Sequence, residues 1–142
     1  MASYYIMPAI IMGAIIGLVE LVFVHQDEAG MGWLGHGLHA IPTMILFIFA
    51  SMNVDFALGF FGLSEAKLGL WGVVGVRAII AILATLKIGA AAAIAGRVGE
   101  KIYHSLIIGV LVAAAPYIWL YGIGKLLVNF WPKAWQSGFL KI

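Results

Sequence analysis

The sequence predicts an all-α integral membrane bundle of four transmembrane helices, ending in a segment that lies in the membrane interface. Three observations predict it. Of the 142 residues, 64% are hydrophobic and only 10% are charged, a balance far outside that of water-soluble domains. The apolar runs are continuous and rich in Ala, Gly, Leu and Ile, whereas a membrane β-barrel needs short segments that alternate apolar and polar residues. At roughly 20 apolar residues per crossing, the length suffices for four or five helices joined by short connections, with no separate soluble domain. We therefore read residues 1–142 as a single membrane domain.

The first span is predicted over about 4–24, entered through Tyr4, Tyr5 and Pro8, with Glu20 as its only charge. The start of the chain lacks the basic residues of a cleavable signal peptide, so this run is expected to be a retained anchor. A polar, glycine-rich stretch from His25 to Gly37 follows as the longest polar connection. The second span is predicted over about 38–58, with Pro42 in its first turn and Asn53 and Asp55 interrupting its end. Ser64-Glu65-Ala66-Lys67 marks the turn into a third span over about 69–96, long enough to require tilt, a kink near Gly89 or projection beyond the bilayer. The fourth is expected over about 102–127, kinked near Pro116. Trp119 and Tyr121 read as aromatic-belt residues, and the tail from Asn129 to Lys141, mixing aromatics with lysines, as an interfacial segment. Lys67, Lys133 and Lys141 on one side, with Lys125 near the boundary, set against Arg97 and Lys101 on the other, place both termini in the cytoplasm.

Small residues mark where helices can approach closely: Gly13 and Gly17 in the first span, Gly109 and Ala113 in the fourth, and the Ala90–Ala93 run in the third.

Lys67, Arg77, Lys87 and Arg97 recur every ten residues, and Arg77 and Lys87 fall inside the third span. A charge at that depth is costly and calls for a partner. At about 1.5 Å per residue, Glu20 lies roughly 24 Å along the first span and Lys87 roughly 27 Å along the third, which runs the same way. The two reach similar heights, and by the same reasoning Asp55 returns toward the height of Arg77. Two acid–base pairs are therefore expected, either as devices that dock helices or as a path for protons or cations.

The first connection and its flanks hold Glu20, His25, Asp27, Glu28, His36 and His39. Imidazole and carboxylate are ligands for zinc, copper, iron or manganese, so His25, Asp27, Glu28, His36 and His39 form a candidate site for a divalent transition metal. A solvated connection or a partner interface accounts for the same residues. His104, beside Tyr103 and Ser105, reads as a packed interfacial histidine. Thr43, Ser51, Asn53 and Thr85 are expected to bond within their own helix or to a neighbour.

Several classes are excluded or disfavoured. The chain has no cysteine, which removes disulfides, thiolate ligands and cysteine nucleophiles. No HExxH, GxSxG or phosphate-cradling glycine loop is present, and Gly72–Gly75 follows no strand, so catalysis by this chain alone is not expected. A net charge of +2, scattered along the chain, does not suit nucleic acid. Two readings of function remain. One is a structural or accessory subunit of a larger membrane complex, such as a metalloenzyme, respiratory or transport assembly. The other is a small homo-oligomeric transporter or channel, coupled to ions or protons through its intramembrane charges. Both require the lipid bilayer together with other membrane subunits or further copies of the chain.

Overall fold

The computed structural model describes residues 4–27, 32–94 and 101–130, and every regular element among them is helical. Helices α1 (Ile6–Asp27) and α2 (Trp33–Met52) are followed by the short α3 (Val54–Gly59), then α4 (Glu65–Ile94) and α5 (Ile102–Ile118). The last helix continues through a π-helical turn (Trp119–Ile123) into α6 (Gly124–Leu127) and a 3₁₀ turn (Val128–Phe130). Four helices, Ile6–Asp27, Trp33–Met52, Glu65–Ala90 and Ile102–Phe130, are long and apolar enough to cross a membrane. The chain is an all-α integral membrane protein.

The main apolar core extends along the bundle, and one layer of it crosses at mid-height. This layer is built from Met12 and Ile16 of α1, Met44 and Ile48 of α2, Ile80 and Ala84 of α4, and Ile108 and Val112 of α5, all buried. The four-residue spacing puts each pair on one helix face. In lipid, close packing rather than water exclusion holds such faces together, so the helices must approach closely. Glycine permits this at three places. A Cβ on Gly13 would stand 2.6 Å from the Ile45 Cα, and one on Gly17 would stand 3.0 Å from the Ile41 Cα, so α1 and α2 meet backbone to backbone. A Cβ on Gly109 would collide with the Thr85 hydroxyl and stand 3.1 Å from the Ala81 carbonyl oxygen, where α5 crosses α4. Ala113, one turn on, is half-buried.

The second span departs from the expected continuous 38–58 run. It starts earlier, at Trp33, and stops at Met52, because Asn53 adopts φ −121° and ψ 61°. The Asn53 side chain stabilises this break, its Nδ2 donating to the Phe49 carbonyl at 2.9 Å while its Oδ1 accepts the Tyr5 N–H at 2.7 Å. In α4 the first turn is set off at Gly69, where φ is 64°, a value that glycine adopts without strain.

In α5 the helix runs on through the buried Pro116. Proline has no N–H for the carbonyl four residues back, and that carbonyl, of Val112, accepts the Ser51 hydroxyl at 2.7 Å instead. The π-helical turn follows directly, and Trp119, on the same helix face as Ile108, Val112 and Ala115, enters the core. Trp119 is completely buried, not part of an aromatic belt, and its indole packs so closely over Gly124 that a Cβ there would lie 2.9 Å from Nε1. Tyr121 is exposed. Glu28, the connection over 95–100 and the tail from 131 to 142, with the interfacial segment expected there, lie outside the described residues.

Candidate functional site

The polar side chains divide into two groups, above and below the apolar layer. One group collects where α1 ends, α2 begins, α4 nears its end and α5 begins. All four histidines of the chain belong to it, together with Glu20, Asp27, Lys87 and Lys101.

At the rim of this group, Asp27 ties the first span to the last. Its side chain is 1% exposed, and its Oδ2 accepts the Lys101 backbone N–H at 2.9 Å and meets His104 Nδ1 at 2.5 Å. The Lys101 ammonium stands 3.2 Å from Oδ1. An ionised carboxylate can only accept, so His104 carries its proton on Nδ1, and in the neutral ring Nε2 is then the acceptor. Phe23 lies flat on the imidazole, with ring centres 4.1 Å apart and planes 4° from parallel. The hydrogen bond to Asp27, then that to Tyr103, raises the pKa of the exposed Lys101 ammonium above its ordinary 10.5. Nothing in the sequence signalled this junction, since Asp27 and His104 are separated by 77 positions.

Deeper in the same half, the Lys87 ammonium contacts His39 Nε2 at 3.0 Å and donates to the Thr43 hydroxyl at 3.0 Å. Glu20 is buried on α1, close enough to act electrostatically on Lys87. The direct hydrogen bonds of Lys87 go to α2.

The five candidate metal ligands do not converge. Asp27 serves Lys101 and His104, His39 faces Lys87, and Glu28 lies outside the described residues. His25 and His36 remain together, their ring centres 5.4 Å apart, with Trp33 stacked on His25 at 3.7 Å. No group of three or more potential ligands is positioned to hold a metal ion among the described residues. The separation is physical: helix α1 continues to Asp27 and α2 begins at Trp33, so the residues expected in a flexible connection are fixed on different helix faces.

The second polar group surrounds the break at Asn53. The expected Asp55–Arg77 pair does not form there. Arg77, buried in α4, donates through Nε to the Ser51 carbonyl at 3.1 Å and through a terminal nitrogen to the Tyr117 hydroxyl at 3.0 Å. Because α2 stops at Met52, its last carbonyls lack intrahelical partners and carry partial negative charge, which suits a guanidinium. Asp55 instead accepts the Glu65 N–H at 2.6 Å, at the start of α4, where exposed N–H groups favour an anion. Each charge has found a helix end rather than the other charge. The interruption at Asn53 is visible in the sequence, but its consequence for Arg77 requires the chain to bring α4 and α5 alongside.

Neither a protein-family model, nor a curated protein, nor a solved structure matches the chain, so its functional reading rests on these residues and their geometry.

Proposed function

We propose that the chain is a membrane-embedded subunit of a larger assembly, to which it contributes the titratable cluster at one end of its bundle. The observation that carries this reading is the mid-height apolar layer. Met12, Ile16, Met44, Ile48, Ile80, Ala84, Ile108 and Val112 separate Glu20, Lys87 and the histidines from Arg77, Ser51 and Tyr117. A bundle filled in this way favours an element that supports or feeds a neighbour over a pore through its own centre.

The second reading, a homo-oligomeric carrier of protons or ions, is favoured by one observation. His39 is exposed on the outside of the bundle while it engages Lys87, so a polar pair stands where another copy would meet it.

Isolation from native membranes in mild detergent, with mass measurement and reconstitution into vesicles under a pH gradient, separates the two. The subunit reading expects a defined set of other membrane proteins to leave the membrane with the chain in fixed proportion, and no flux from the chain reconstituted by itself. A stable homo-oligomer whose proton or cation flux stops in Glu20→Gln would establish the carrier instead.

A further inference from the structure

We propose that His25 and His36 form a two-imidazole site for monovalent copper. His36 is 2% exposed, and its Nε2 is buried without a hydrogen-bond partner; Nδ1 of His25 is likewise buried and unpartnered. A buried polar nitrogen left unbonded loses its hydration without replacement, and two of them on rings 5.4 Å apart form an uncommon concentration of that cost. Two imidazoles sharing one ion between them would have ring centres roughly 6 Å apart, from metal–nitrogen bonds of about 2 Å. The crossing of the ring planes at 84° is compatible with this, because rotation about a nitrogen–metal axis leaves the bond intact.

The donor set selects the ion. Zinc takes four ligands in structural sites and three protein ligands in catalytic ones, whereas the nearby carboxylate of Asp27 is engaged by Lys101 and His104, and His39 by Lys87. Two neutral nitrogens in a buried setting suit a singly charged, closed-shell ion that accepts low coordination. Trp33, stacked on His25, covers that ring with an aromatic face that also favours a cation. The site is independent of the assembly proposed above and is read without it.

The test uses the full chain in lipid nanodiscs, loaded with Cu(I) under anaerobic conditions and dialysed against bicinchoninate as a competing chelator. About one copper per chain should remain, with an X-ray absorption edge of two-coordinate copper and a nitrogen-only shell. His25→Ala and His36→Ala should each lower retention by more than about tenfold, since a change in the outer shell alone costs about that much. His104→Ala should keep the metal. Retention no higher than in empty nanodiscs, retention in either variant equal to that of the parent, sulfur in the shell, or preferential retention of Zn(II) would each overturn the proposal. Should either variant lose its helical circular dichroism, the absorption spectrum of the parent decides by itself.

Discussion

The two polar ends of the bundle use the same kinds of residue in different proportions of backbone and side-chain contact. Around Asn53, polar side chains meet backbone groups that the helices cannot satisfy themselves: Arg77 takes the Ser51 carbonyl, Ser51 the Val112 carbonyl freed by Pro116, Asn53 the Tyr5 N–H, and Asp55 the Glu65 N–H. Around the histidines, more contacts run from side chain to side chain, as in Lys87 with His39 and Thr43 or Asp27 with His104, although Asp27 also accepts the Lys101 backbone N–H; the buried nitrogens of His25 and His36 and the Ser105 hydroxyl have no hydrogen-bond partner among the described residues. An end that repairs backbone is holding the fold together. An end that keeps unbonded polar atoms sacrifices stability, as functional sites do.

The comparison is broken most directly at Arg77. Arg77→Met removes two charge-assisted hydrogen bonds and should lower stability by about 2 kcal/mol, measured by unfolding in mixed micelles. Arg77→Lys should recover only part of this, because one ammonium on a flexible stem does not reproduce a planar fork aimed at both the Ser51 carbonyl and the Tyr117 hydroxyl. Full recovery by lysine would mean that charge alone matters and that the helix-end geometry is incidental.

Asn53→Leu comes next. It leaves the Tyr5 N–H without its acceptor and lets α2 run on toward α3, for an expected loss of about 1–2 kcal/mol. Hydrogen exchange at the Tyr5 amide should rise as well, and an unchanged rate would remove the Asn53 carbonyl oxygen from the account of how the first span is tied down.

At the histidine end the sign changes. In His36→Phe an aromatic ring of similar shape replaces one whose Nε2 is buried and unbonded, so stability should stay within about 0.5 kcal/mol of the parent or rise. A loss as large as that of Arg77→Met would show that the two ends do not differ in the way described.

The legibility of the sequence follows the same division. The existence of four spans needed only the length and continuity of the apolar runs, and Gly13 and Gly17 were readable as a close-approach face because their spacing is local. The end of the second span was half-readable, since Asn53 and Asp55 visibly interrupt it. The partners of Arg77, Asp27 and Lys87 were less accessible. Height along parallel spans says nothing of which face a side chain occupies or which helix lies alongside, so it matches Asp55 to Arg77 and gives no hint of the Asp27–His104 contact. Residue type alone suggests the interface for Trp119, but its spacing decides otherwise: Ile108, Val112, Ala115 and Trp119 recur at intervals of three and four residues on one helix face, and all four are buried.

The smallest expected effect, alkaline destabilisation, distinguishes the ends by cause. The Lys101 pKa is raised chiefly by its hydrogen bond to Asp27, and that of Tyr5 chiefly by burial and then by the Glu65 carboxylate. In both cases the folded state holds its proton more tightly than the unfolded state. The associated stability is therefore complete below the ordinary values of 10.5 and 10.0 and is lost as pH rises through the raised ones. Lys101→Met and Tyr5→Phe should each flatten part of the decline measured between about pH 9 and 12. Salt should separate them. Screening weakens an exposed attraction such as that of Lys101 for Asp27, so the part of the decline removed by Lys101→Met should shrink in about 1 M salt, where the screening length is about 3 Å. Burial of the Tyr5 phenol is not screened, so the part removed by Tyr5→Phe should persist. Equal salt sensitivity in the two variants would reduce both ends to surface electrostatics and remove this distinction between them.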